Sequence, residues 1–153
     1  MQKNNLFTIT NCTILTVDGE DRFFPRGRMT VSGNTILRVG HEHELPLEGD
    51  VIDLEGRLVL PGLINTHTHS HSSLFKNQAD DLTLMDWLNK AMWPMEAHLN
   101  AERAQAGTAL SCMEYISSGI TTYCDQFYFA EAIAPVASGS GLRCVLGATV
   151  FEK

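Results

Sequence analysis

The sequence predicts an α/β fold in which an all-β segment, residues 1–57, precedes a parallel β/α arrangement over residues 58–153. In the first segment, short runs rich in β-branched residues are separated by turn residues, a pattern typical of hairpins. In the second, strand-like apolar runs alternate with stretches of helical periodicity, which is typical of parallel sheets with right-handed crossovers. A length of 153 residues, a hydrophobic content of 44% and a net charge of −7 indicate a folded chain rather than a disordered one.

Four short runs in the first segment have the composition of β-strands: 8–17, 28–31, 34–39 and 51–54. Asp18-Gly19 and Ser32-Gly33 interrupt them with residues that favour turns. Residues 41–55 are rich in acidic side chains, so we interpret most of that stretch as a solvated connection that leads into the fourth strand.

The second segment opens with an apolar strand that begins at Leu58 and ends at His69, and a polar loop follows it. Thr83 begins a helical run with Asp86 three residues later, which resembles a capping box. We expect Pro94 to end this helix, because proline disfavours helical structure at the residue before it.

A second helix is predicted from Asn100, an N-cap residue, to Gly119, a C-cap residue. Five apolar residues recur at helical spacing and predict its buried face: Ala106, Ala109, Leu110, Met113 and Ile116. A strand at 120–124, a short helix at 130–137 and a third strand at 142–151 complete the alternation.

The composition excludes several classes of partner. The chain has 18 acidic against 11 basic residues and no basic stripe, so nucleic acid is not an expected partner. The longest apolar stretches fall far short of the ~18 residues of a membrane span, and no signal peptide is evident. The four cysteines form no Cys-x-x-Cys pair, which favours reduced thiols in a cytoplasmic protein.

His67 and His69 carry the strongest chemical signal in the sequence. Residues two apart on a strand share one face, so both imidazoles can reach one metal ion. Both follow an apolar strand, at the end where open α/β sheets and barrels place their active sites. His41 and His43 have the same spacing, but they lie in a polar, glutamate-rich turn, and we expect them on the surface.

Residues 61–69, PGLINTHTH, resemble the first-strand motif of the amidohydrolase superfamily, metal-dependent hydrolases built on a (β/α)8 barrel. Residues 79–82, 87–88 and 93–96 resemble the branch of 5-methylthioadenosine/S-adenosylhomocysteine deaminases, guanine deaminases and triazine chlorohydrolases. The resemblance implies that residues 58–153 form the first three β/α units of such a barrel. It also implies that residues 1–57 form part of a small β-sandwich, which normally takes further strands from the C-terminus.

The same resemblance implies one Zn2+, or Fe2+ in some relatives, held by His67, His69, a later histidine and a late aspartate. The metal would activate a water molecule that attacks the carbon bearing the amino group of a purine nucleoside or related heterocycle, releasing ammonia. The residues that move protons in this reaction are not among those that can be identified here.

Glu96 stands in a Pro-x-Glu context that resembles the ribose-binding glutamate of the adenosine-type deaminases. A carboxylate can accept two hydroxyl hydrogen bonds at once, which suits this role. Guanine deaminases share a similar Pro-x-Glu, so a guanine deaminase or a triazine-type hydrolase stays open as an alternative, as does a solvated charge at a helix end. The chain departs from the family pattern at Ser70-His71-Ser72 and at Lys76-Asn77, which leaves the exact substrate undetermined.

Two neighbours of the site have more modest expected roles. We expect His71 to lie beside the site or on the surface rather than on the metal, and Asp125 to hold loops by hydrogen bonds. The alternative from another class is a truncated, non-catalytic product or packing partner, because a (β/α)8 barrel needs roughly 200 residues or more. We therefore expect residues 1–153 alone to be inactive, and their open strand edges to favour self-association into a homo-oligomer.

Overall fold

The computed structural model describes residues 5–150 and divides by internal contacts into two units, Met1–Pro61 and Gly62–Lys153. The division falls a few residues after the boundary predicted from the sequence. No helix within residues 5–150 combines the length and apolar character that crossing a bilayer requires.

The first unit is a single mixed sheet of five strands: β1 (Leu6–Leu15), β2 (Phe23–Ser32), β3 (Thr35–His41), β4 (Asp50–Asp53) and β5 (Leu58–Val59). The strand order is β3-β2-β1-β4, and β5 also pairs with β1. The β1–β2 and β2–β3 pairs are antiparallel, whereas β4 and β5 run parallel to β1. The hairpins that the turn residues predict are therefore present.

The strand predicted to run from Leu58 to His69 is two strands in the structure. Leu58–Val59 pairs with β1 of the first unit, and a separate strand, β6 (Leu63–Thr68), begins the second unit. Pro61 lies between them and has no backbone N–H to donate to a continuous ladder. Only β6 positions the two histidines of interest.

The second unit contains a three-stranded parallel sheet in the order β6-β7-β8, with β7 at Ile120–Phe127 and β8 at Arg143–Ala148. Its helical elements are a 3-10 helix (Ser70–Phe75), α1 (Leu84–Trp87), a π turn (Leu88–Met92), α2 (Trp93–Glu96), α3 (Ala101–Ser117) and α4 (Ala130–Gly139). The predicted strand 142–151 is thus shorter at both ends, and residue 151 lies outside the described range.

The ends of α3 follow the capping residues of the sequence. The Asn100 side chain accepts a hydrogen bond from the Arg103 N–H at 2.9 Å, and Gly119 adopts a φ of +77° just beyond the helix. An N-cap side chain accepts a hydrogen bond from a free backbone N–H at the start of a helix. A left-handed glycine after the helix lets backbone N–H groups reach the last free carbonyls. The helix is thereby fixed between the end of the polar loop and the start of β7.

The prediction of which face of α3 is buried is wrong. All five residues of the apolar stripe are exposed, Met113 by 68%, while the buried residues of the helix are mostly small and include several polar ones: Ala104, Gly107, Thr108, Ser111 and Cys112. The reason is the close approach of the 3-10 helix. A Cβ added at Gly107 would lie within 2.9 Å of His71 backbone atoms, so only a surface of small side chains fits there.

The core of the second unit lies between α3, α4 and β7. Cys112, Tyr123 and Ala137 form its buried centre, and Tyr115, Leu142 and Cys144 pack against it. The Tyr123 hydroxyl lies 3.7 Å from the Cys112 sulfur, and all four cysteines are free thiols, as their spacing predicts. This core supports the strand ends at which the histidines lie.

Candidate metal centre

The candidate centre lies where parallel strands β6 and β7 end. His67 is the penultimate residue of β6, and His69 directly follows the strand. Their ring centroids are 5.0 Å apart, with an angle of 79° between the ring planes. Both side chains are exposed, so the period-two spacing places two accessible imidazoles side by side.

The His69 ring is oriented by the strand beside it. Its Nδ1 lies 2.6 Å from the backbone carbonyl oxygen of Gln126, near the end of β7. Because a carbonyl oxygen only accepts, Nδ1 carries the proton and donates it, and Nε2 keeps its lone pair. Metal-binding histidines commonly donate the N–H of the other ring nitrogen to a carboxylate, a backbone carbonyl or water, as His69 does here. The donor chemistry of His67 and His69 therefore fits zinc or iron(II).

His71 lies behind this pair and is only 1% exposed. Its ring stacks on Phe127 with 4.1 Å between centroids, and its Nε2 lies 3.2 Å from the Ser72 hydroxyl. Burial lowers the pKa of His71 to about 4, and the negative charge of Asp125 only partly opposes this effect. His71 is therefore a neutral, buried neighbour of the site and not a surface residue.

A buried polar network joins the strand end to helix α3. The Asp125 carboxylate accepts hydrogen bonds from the Ser70 N–H at 3.2 Å and from the Ser70 hydroxyl. The Ser70 hydroxyl also lies 2.7 Å from that of Thr108 on α3. Asp125 thus holds the loop after β6, the kind of contact that its position after a predicted strand indicated.

Ser73 and Ser111 extend this network below the 3-10 helix. The Ser111 hydroxyl donates to the Ser70 carbonyl at 2.7 Å, and the Ser73 hydroxyl lies 2.9 Å from that of Ser111. These hydroxyls satisfy backbone groups that burial would otherwise leave without partners, an omission that is costly in a protein interior. The 3-10 helix is therefore attached firmly to α3.

Glu96 lies within a helix, which corrects the prediction that it follows a break. Pro94 occupies the first turn of α2, where its missing N–H leaves no helical bond unmade, and helical structure continues to Glu96. The side chain is half-buried. Partial burial raises the pKa of the Glu96 carboxyl, and the electrostatic interaction with His69 acts in the opposite direction. The carboxyl group of Glu96 therefore interacts electrostatically with His69.

A cavity of about 240 Å3 lies beside the helix that carries Glu96. Its lining combines apolar and polar side chains, among them Phe75, Asp80, Trp87, Met92 and Met95. Met95 immediately precedes Glu96, so the cavity adjoins the segment that the sequence singled out for substrate contact. Trp87 lines this cavity.

Within residues 5–150, no three His, Cys, Asp or Glu side chains are grouped closely enough to hold a metal ion. The predicted pair, His67 and His69, would supply only two ligands, whereas a catalytic zinc usually has three protein ligands. His41 and His43 stack on each other with 5.4 Å between centroids, in the unit that does not contain β6.

Two groups at the site were not predicted from the sequence. The Gln126 carbonyl is a backbone atom and has no sequence signature, because any residue at the end of a neighbouring parallel strand offers a backbone carbonyl. Phe127 contacts both the His69 and the His71 ring, at 5.3 and 4.1 Å between centroids. Its place two residues after Asp125 on the same strand was the available signal.

Comparisons with known proteins identify similar sequences and structures. The profile of the amidohydrolase family matches residues 58–153. A 5'-deoxyadenosine deaminase of Methanocaldococcus jannaschii is 46% identical over 122 residues, which cover 79% of this chain and 29% of that protein. A 5-methylthioadenosine/S-adenosylhomocysteine deaminase of Pelotomaculum thermopropionicum is 38% identical over 141 residues, covering 90% and 33% of the two chains.

Among solved structures, an adenosine deaminase from Xanthomonas campestris with bound zinc superposes with a TM-score of 0.77 and 27% identity. The match covers 90% of this chain and 32% of that one. The chain thus spans about a third of the length of the relatives it matches.

Proposed function

Since this chain belongs to the amidohydrolase family, we propose that it provides the first two metal ligands and a substrate-binding carboxylate of a deaminase. The substrate class is a purine nucleoside or a related heterocycle. The observation that supports this most directly is the pair of accessible imidazoles at the end of β6, with rings 5.0 Å apart. The naming of the relatives as adenosine-type deaminases supports the substrate class.

His67 and His69 are the residues that would hold Zn2+, with Fe2+ as the second candidate. When bound, the metal lowers the pKa of a coordinated water toward ~7, so that a hydroxide is available for attack at neutral pH. His69 contributes a fixed tautomer, because its Nδ1 proton is held by the Gln126 carbonyl and Nε2 faces away from it. The zinc bound in the Xanthomonas deaminase supports zinc as the metal.

We propose that the sheet β6-β7-β8 is the first part of a (β/α)8 barrel and that the first unit is part of a β-sandwich. The strands run parallel, and helices follow β6 and β7 in sequence. The two histidines then lie at the carboxyl end of one barrel strand, on the face at which such barrels build their active sites.

Glu96 is proposed to accept hydrogen bonds from the two ribose hydroxyls of a nucleoside. Its carboxyl group is half-buried and interacts electrostatically with His69, which supports a place for it beside the proposed metal site. A free base lacks those hydroxyls and gains nothing from this contact. Glu96 would therefore separate nucleoside substrates from guanine-like or triazine-like ones.

The proposal is tested by ammonia release, with and without added zinc, from a purified protein that carries residues 1–153 within a complete barrel. The substrates are 5'-deoxyadenosine, 5-methylthioadenosine, S-adenosylhomocysteine and guanine. Zinc-dependent release from the nucleosides, lost in His67→Ala, would support the proposal. Release from guanine alone would instead favour the guanine deaminase alternative, and no release from any protein that includes residues 1–153 would favour a non-catalytic role.

The role of Glu96 is tested by Glu96→Gln in the same full-length protein, with Glu102→Gln as the control because Glu102 is an exposed glutamate nearby in sequence. A hydrogen bond to a charged group contributes about 1.5–3 kcal/mol, so kcat/KM for nucleosides should fall by roughly 10- to 150-fold. Turnover of a free base should change little. An equal loss for both kinds of substrate would contradict the ribose assignment.

We also expect residues 1–153 by themselves to release no ammonia even when zinc is supplied. Two histidines fill fewer positions than a catalytic zinc requires, so the metal would bind weakly and activate water poorly. Zinc-dependent turnover by this chain above a His67→Ala control would contradict the expectation.

A further inference from the structure

The end of β7 contacts three consecutive residues after β6. We call Asp125, Gln126 and Phe127 the β7 clamp. Asp125 binds Ser70, the Gln126 carbonyl binds the His69 ring, and Phe127 stacks on His71. Residues 69–71 are therefore each held by a residue of the neighbouring strand.

Asp125 makes the strongest of these contacts. Its carboxylate is 1% exposed and accepts two hydrogen bonds from one residue, Ser70, which is also 1% exposed. Hydrogen bonds to a charged group are roughly twice as strong as those between neutral groups, and burial raises the cost of breaking them. The backbone of Ser70 therefore has little freedom relative to β7.

This restraint bears directly on the adjacent residue. The amide nitrogen of Ser70 belongs to the peptide group that follows His69, so fixing it fixes the position from which the His69 side chain extends. Phe127 contacts the same ring, with 5.3 Å between centroids. The ring is thus held at its backbone by Asp125, at Nδ1 by Gln126 and at its face by Phe127.

We propose that Asp125 is a positioning residue that keeps the His69 ring on the Gln126 carbonyl, with Nε2 directed outward to bind a divalent metal. This inference rests on the proposed metal role of His69, but the tautomer and position of the ring are properties of the metal-free protein. They are measured separately from metal binding, so the two proposals fail separately.

The first test is the tautomer of His69 in the metal-free protein, read from the nitrogen-15 chemical shifts of the ring. The clamp predicts that the proton lies on Nδ1 in the unsubstituted protein. Asp125→Ala should leave a mixture of the two tautomers, because Ser70 is no longer restrained. Asp125→Asn retains an oxygen for the Ser70 N–H and should keep most of the Nδ1 form.

The second test is zinc affinity, measured by competition with a chromophoric chelator. Loss of a residue that orients a metal ligand usually lowers affinity by about 10- to 100-fold. We expect that loss in Asp125→Ala and a smaller one in Ser70→Ala. The control is Tyr123→Phe, which removes a buried hydroxyl from the same strand without touching residues 69–71.

A tautomer mixture and weaker zinc binding in Asp125→Ala, with both unchanged in Tyr123→Phe, would support the proposal. An unchanged tautomer in a folded Asp125→Ala protein would overturn it. If that variant does not fold, Ser70→Ala decides by the same readouts. A Ser70→Ala protein that matches Tyr123→Phe in both tautomer and affinity would also overturn it.

Discussion

Replacing Gly107 by alanine tests the close contact that holds the 3-10 helix on α3. In an exposed helix the change stabilises by roughly 0.5–1 kcal/mol, because glycine loses more backbone entropy on folding. Here the new Cβ would lie 2.9 Å from the His71 carbonyl carbon and Cα, and closer still to its oxygen. Ordinary van der Waals contact begins at 3.4 Å, so backbone must move by at least half an ångström.

Overpacking of this kind costs about 1–3 kcal/mol, which offsets the entropic gain and leaves a net destabilisation of up to roughly 2.5 kcal/mol. Urea unfolding at 25 °C measures it as a lower midpoint with an unchanged m-value. The matched control is Gly139→Ala, a helical glycine with open space around its Cβ, which should be neutral or stabilising. A Gly107→Ala protein as stable as Gly139→Ala would refute the argument for close packing.

Two further predictions concern the cap of α3 and the surface of the first unit. Asn100→Ala removes the side-chain acceptor of the Arg103 N–H and should lower the free energy of unfolding by about 1 kcal/mol, measured by thermal unfolding; an unchanged Tm would show that the cap is dispensable. Arg22 and Thr16 hydrogen bonds lower the pKa of Asp18 to about 2, below the 3.8 expected of an unfolded chain. Their stabilising effect is therefore present above pH 3.8 and lost as the pH falls toward 2. In a carbon-13 titration Arg22→Gln should raise this pKa, while Arg26→Gln, whose partner is Glu42, should not.

The hairpin turns, the helix caps and the positions of the histidine pair followed from local patterns. Hairpin turns, period-two spacing and helix caps act over a few residues, so Asn100, Gly119 and the shared face of His67 and His69 could be predicted without tertiary information. The same holds for the role of Asp125 in holding the loop, since polar residues after parallel strands meet at one edge of the sheet.

The predictions that failed concerned features that depend on the neighbouring elements in the folded chain. The apolar stripe of α3 satisfies helical periodicity, yet the buried face is the one whose small residues admit the 3-10 helix, and Gly107 was the only hint of that approach. Pro94 was expected to end a helix, but proline is equally suited to the first turn of the next one. The carbonyl that orients His69 has no signature in the sequence at all.

The most direct test of the central claim is a zinc titration of four single variants. His67→Ala and His69→Ala remove the proposed ligands, while His41→Ala and His43→Ala remove histidines of identical spacing from the other unit. The account predicts at least a tenfold loss of zinc affinity in the first two variants and unchanged affinity in the others. Equal affinity in all four would contradict the assignment of His67 and His69 as the metal-binding pair.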